Sequence, residues 1–99
     1  MSQVIFNSAQ VLARAGELEE LNNQFKTQVQ SLEEKEQALK AMYEGDAATA
    51  FHNAFSRDKI QMDNFFNCIA RYAVVLREIA AKMQQAEGEN QQLASARSY

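Results

Sequence analysis

In 99 residues the chain has no proline, no tryptophan, three glycines, one cysteine and one histidine. Almost nothing in it punctuates turns, so it divides into few, long elements. The single Cys68 excludes an internal disulfide and cannot hold zinc alone, and the solitary His52 excludes a histidine-based metal pair. No apolar run reaches the roughly 18 residues of a membrane span. The opening Met1 to Phe6 carries no basic region and no apolar stretch of signal-peptide length, so any export is expected to use a route that reads no such signal. Concentrated positive charge is also missing. Residues 1–46 hold four basic and eight acidic side chains, and residues 47–99 hold six and five. The clusters Glu17/Glu19/Glu20 and Glu33/Glu34/Glu36 suit a solvated face and exclude a phosphate-binding one, so nucleic acid is not an expected partner.

What the chain does have is a sevenfold repeat. Val4, Val11, Leu18, Phe25, Leu32 and Leu39 follow one another at a spacing of seven. In the second half Ala48, Phe55, Met62, Ile69, Leu76 and Met83 form one such row, and Phe51, Phe65, Tyr72, Ile79 and Ala86 form its companion, interrupted by Asp58. Apolar residues at this period lie along one stripe of a helix. Between the halves Tyr43-Glu44-Gly45-Asp46 is the one plausible break. Gly45 can adopt positive φ and Asp46 can cap the second helix. At the front, Asn7 or Ser8 can cap, and Gln10 completes a capping-box spacing from Asn7.

The spacing therefore predicts a single all-α domain: helix one over 8–42, a turn at 43–46, helix two over 47–87, and a flexible tail over 88–99. So short a connection forces an antiparallel hairpin. Helix two is apolar around more of its circumference than one neighbour can cover, with Ala54, Cys68 and Val75 on one flank and Phe66, Ala73 and Ala80 on the other. Two hairpins pairing into a four-helix bundle would cover it. Val11, Leu18, Phe25, Leu32, Leu39, Phe51, Phe55, Met62, Phe65, Ile69, Tyr72, Leu76 and Ile79 are accordingly read as the hairpin and dimer interface. The partner is the chain itself, favoured here, or a related hairpin.

The stretch from Leu39 through Tyr43-Glu44-Gly45 to Ala47, Ala48, Ala50 and Phe51 resembles the hairpin turn of the Trp-X-Gly (WXG, Esx-type) family of bacterial type VII secretion substrates. In that family an aromatic-X-Gly turn is followed by small residues and then phenylalanine. Length, turn position and heptad phase match over most of the chain. Tyr43 replaces the family's usual tryptophan and keeps a large ring with a polar tip. The family's tail signal, Tyr-x-x-x-Asp/Glu, aligns with Met83 to Glu87, where methionine stands for tyrosine. Tyr72 does not replace it, because Leu76 follows at the acidic position. The resemblance implies a small protein made in the cytoplasm and secreted without a signal peptide. It would act as a dimeric substrate or co-secreted adaptor, with the secretion machinery as partner, and without enzymatic activity or cofactor. Tyr43, Glu44 and Gly45 would form one half of a recognition surface, and Met83 and Glu87 the other.

Three rival readings belong beside this one. A cytosolic chaperone or bundle subunit would use the same amphipathic helices to cover a partner's segment. Membrane insertion after release would use them on lipid, although packing already accounts for both the amphipathicity and the phenylalanines. A histidine phosphotransfer domain also presents a histidine on a helical bundle, but such sites keep lysine and glycine shortly after it, where His52 is followed by Asn53, Ala54 and Phe55. No serine or cysteine has a base in sequence register.

Overall fold

Helix α1 (Ser8–Met42) begins where its free N–H groups can be satisfied. Asn7 Oδ1 accepts from the Gln10 N–H at 2.9 Å, Gln10 Oε1 accepts from the Asn7 N–H at 3.0 Å, and the Asn7 carbonyl accepts the first helical bond, from Val11 at 3.1 Å. This is the reciprocal box anticipated from the spacing. The computed structural model describes residues 7–42 and 45–96, with side chains as far as Asn90.

Helix α2 (Asp46–Ala96) opens at Gly45, whose φ of +113° suits only a residue without a Cβ. The Gly45 carbonyl accepts from the Thr49 N–H at 3.1 Å and from the Thr49 hydroxyl at 3.2 Å. Gly45 thus occupies the capping position expected of Asp46. Asp46 lies one step inside, where its charge complements the positive end of the helix dipole. The far end differs too. The helix expected to stop at 87 continues through Gly88 to Ala96. A single glycine costs a helix only about 1 kcal/mol relative to alanine, and the glutamine, alanine and leucine beyond it favour the helix. Residues 97–99 of the expected tail lie outside the described residues.

The two helices lie side by side in a rod of 83 × 24 × 21 Å. Links between them descend α2 as they climb α1: Ser8 to Glu87, Glu19 to Arg77, Asn22 to Phe66, Glu33 to Lys59, Glu36 to His52. The hairpin is antiparallel.

The closest packing does not fall on the apolar heptad row of α1. The buried residues of that helix are Ser8, Ala15, Asn22, Val29 and Glu36, a row with the same period of seven. On α2 the matching row is His52, Lys59, Phe66, Ala73, Ala80 and Glu87, in which Ala73 and Ala80 are fully buried. One heptad inward from the Ser8–Glu87 bonds stand Ala15 and Ala80, both at 0% exposure, so small side chains let the backbones approach closely. Periodicity alone places Phe66, Ala73 and Ala80 on a flank; in the structure they form the seam. The physical reason is that the seam needs small residues and paired polar groups, and a search for large apolar ones passes over it.

Candidate functional site

Going three residues on from each seam position of α1 gives Val11, Leu18, Phe25, Leu32 and Leu39; going four on gives Leu12, Glu19, Lys26, Glu33 and Lys40. The same steps on α2 give Phe55, Met62, Ile69, Leu76 and Met83 on one side, and Ser56, Asp63, Ala70, Arg77 and Gln84 on the other. In an antiparallel pair the two i+3 flanks fall on one side and the two i+4 flanks on the opposite side. The hairpin consequently has one apolar face and one polar face.

Side-chain contacts show both. On the apolar side Phe25 meets Phe65 edge-on, with ring centroids 5.3 Å apart. On the polar side Arg77 bonds Glu19, and Lys59 lies 3.0 Å from Asp63 and 3.4 Å from Glu33. The carboxylate of Asp63, then that of Glu33, raises the Lys59 pKa; Glu19 does the same for Arg77.

The apolar face is open. Its α2 flank is half-buried, whereas the next row outward, Phe51, Phe65, Tyr72 and Ile79, is between 43% and 55% exposed. On α1 Val11, Leu18 and Phe25 are half-buried, while Leu21, Leu32, Leu39 and Met42 are exposed. All thirteen residues read from the sequence as interface lie on or beside this face, and the hairpin fully buries none of them. Covering a large apolar side chain is worth about 1.5–3 kcal/mol, so the hairpin alone leaves a substantial part of its apolar burial unrealised.

The two ends of the rod differ in chemistry. At the turn end the Glu36 carboxylate, 3% exposed, has His52 Nδ1 at 2.5 Å. That pair gives His52 a structural partner inside the seam. Gly45 sits beyond it, and Tyr43 and Glu44 lie outside the described residues. At the open end Met83 is half-buried on the apolar flank, and Glu87 is exposed but accepts from the Ser8 N–H at 2.9 Å and the Ser8 hydroxyl at 2.7 Å. These bonds, the backbone one foremost, hold the Glu87 carboxyl below its ordinary pKa. Gly45 and the Met83–Glu87 stretch therefore occupy opposite ends of the hairpin, and a single hairpin does not bring them together.

Sequence reasoning missed Ser8 as a partner of Glu87, and it missed Asn22 and Glu36 altogether as seam residues. One signal was available: Ser8, Asn22 and Glu36 repeat at multiples of seven with Ala15 and Val29, in register with the apolar row beside them. Among the described residues no group of three or more histidine, cysteine or acidic side chains is arranged to hold a metal ion, and no helix is long and apolar enough to cross a membrane.

Comparison with known proteins gives one match. The family model WXG100, proteins of 100 residues with WXG, covers residues 3–88, which includes the whole of α1, the turn and the α2 seam through Glu87. No curated protein and no solved structure matches the chain. The match spans most of the sequence and agrees with the helical hairpin and its mid-chain glycine turn, so the chain belongs to the WXG100 family of small helical proteins associated with type VII secretion in bacteria.

Proposed function

We propose that this protein is a secreted substrate or co-secreted adaptor of a type VII pathway, acting as a dimer of hairpins joined through the apolar face, with a second copy of itself as the favoured partner. The observation that carries this reading is the position of the large heptad residues. Leu32, Phe51, Phe65 and Tyr72 are half or more exposed although they stand on the apolar sevenfold rows of the sequence. A partner hairpin offers a surface of the same shape, and the resulting four-helix bundle covers both.

The separation of the two motif regions supports an antiparallel mode. With α1 rising about 1.5 Å per residue, the Gly45 turn lies on the order of 50 Å from Glu87. A partner running the other way would set its own Met83 and Glu87 beside this chain's turn, forming one composite surface from two chains. Membrane insertion draws no support from an apolar face that a second hairpin would cover.

The deciding experiment is the search for intact, uncleaved chain in the culture medium of its native host, with a cytosolic marker as lysis control. Chain in the medium, reduced when Glu87 is replaced by alanine in a strain where this chain is the sole dimer partner, supports the reading. Chain confined to the cytosol and co-purifying with a helical client would replace it by the chaperone reading.

A further inference from the structure

The first residue of α1 and the last residue of the α2 seam meet at the open end of the hairpin. Ser8 Oγ donates to Glu87 Oε2 and the Ser8 N–H donates to Oε1, so each carboxylate oxygen has one partner. Ser8 is 5% exposed while Glu87 is exposed. The carboxylate is thus gripped from the buried side and open on the other. An ionised carboxylate offers about four lone-pair positions, so two remain for a donor from outside. Ser8 and Glu87 are 79 residues apart in sequence, so only a chain that has formed α1, turned at Gly45 and laid α2 alongside can make the contact. Within two turns of it the charged side chains are Arg14 on α1 and Lys82 and Glu89 on α2. Arg14 is paired with Glu17, and Glu89 accepts from Gln85.

We propose that Ser8 is a positioning residue of the export surface: it fixes the Glu87 carboxylate in one orientation at the open end, so the secretion machinery meets that acid in its recognisable form only on a completed hairpin. This inference rests on the secretory reading of Glu87. It makes folding itself a condition of recognition. A free glutamate on an open chain samples many rotamers, and an outside donor must order it on binding; the Ser8 bonds meet that cost in advance.

The contact has a pH signature. The folded Glu87 carboxyl is lowered from its ordinary value of 4.5. Its contribution to stability is therefore complete above that ordinary value and is lost as pH falls through the lower, folded value. The test compares Ser8→Ala, Ser8→Thr and Glu87→Ala in the full chain, by export from the native host and by thermal unfolding of the purified protein from about pH 7 down to about pH 3. Ser8→Ala, which loses the hydroxyl bond and keeps the backbone N–H donor, is expected to lower export severalfold, to reduce the acid-sensitive part of the stability that Glu87→Ala removes, and to speed amide exchange in the first turn of α1; Ser8→Thr, which keeps the hydroxyl, is expected to restore all three. If Ser8→Ala reduces the acid-sensitive part yet exports like the parent while Glu87→Ala does not, positioning by Ser8 is overturned and the secretory reading stands. If neither variant changes export, the role of Glu87 in export falls and this inference falls with it. An unchanged acid profile in Ser8→Ala also overturns it.

Discussion

The seam and the apolar face lie on the same two helices, share a period of seven and stand only three residues apart at each step, yet their compositions are opposite. The seam holds Ser8, Ala15, Asn22, Val29 and Glu36 against Ala80, Ala73, Phe66 and polar ends. The face holds Leu18, Phe25, Leu32 and Leu39 with Phe55, Met62, Phe65, Ile69 and Tyr72. The hairpin closes through small side chains and specific polar bonds, which set alignment, and it leaves uncovered the residues with the most area to bury. In the proposed dimer, alignment and affinity would be divided between the two surfaces. If the face pairs with a second hairpin as proposed, stability is expected to depend on protein concentration.

The sharpest way to break this contrast is a charge in the middle of the face. Phe65→Asp places a carboxylate where a partner would bury it without a counter-charge, a change that costs several kcal/mol in a closed interface. The expected product has the mass of a single 11.2 kDa chain and much reduced helix content, and Leu32→Asp behaves in the same way. Sedimentation together with circular dichroism checks both. A fully helical product of unchanged mass would show that this face is not where chains meet.

The seam should fail in the opposite sense, by addition of volume. Ala80 has no exposed surface and lies at the step matching Ala15, so Ala80→Leu must push the helices apart. Overpacking of this kind costs about 1–3 kcal/mol. The control is Ala81→Leu, at an exposed position of α2 off both the seam and the apolar face, which is expected to leave stability within about 0.5 kcal/mol of the parent. Equal losses from the two would erase the distinction between the seam and the exposed surface; denaturant unfolding measures each.

Much of this architecture is written in the sequence in ways that local physics makes legible. Asn7 and Gln10 announce the start of α1 because reciprocal capping needs just that spacing. Gly45 announces the turn because positive φ is nearly closed to other residues. The apolar rows announce helices, since large side chains at period seven line one stripe of a helix, but they do not tell which stripe the hairpin itself closes on. The seam was obscured for the same reason. Glu36 and Asn22 look like surface residues until a partner for each is known, and those partners, His52 and the Phe66 carbonyl, lie 16 and 44 residues away. Gly88 misled in the other direction: a glycine near a polar run resembles a helix end, but with no proline after it the cost is too small to stop α2. Glu87 drew attention through family resemblance, and nothing in the sequence linked it to Ser8.

Asn22 offers the finest test of the division between alignment and affinity. Its amide donates to the Phe66 carbonyl at 3.0 Å, but its Oδ1 is buried without a hydrogen-bond partner among the described residues. A half-satisfied amide in a packed seam contributes little net stability, because the bond made is offset by the acceptor left dry. Replacing it with leucine, which has the same branched heavy-atom skeleton, removes both terms and adds apolar burial, so Asn22→Leu is expected to change the unfolding free energy by no more than about 1 kcal/mol, toward greater stability. What it should cost is uniqueness. With Ala15 above and Val29 below at the same period, an all-apolar row can slide by one heptad, and the polar residue at that step discriminates against the slid pairing. Paired cysteines placed across the seam in two registers would read this directly. In the parent background only the native register should cross-link in high yield, whereas in Asn22→Leu the slid register should gain yield while the melting temperature holds or rises. If the variant keeps a single register, alignment resides in the polar bonds at the ends of the seam, Ser8 with Glu87 and Glu36 with His52.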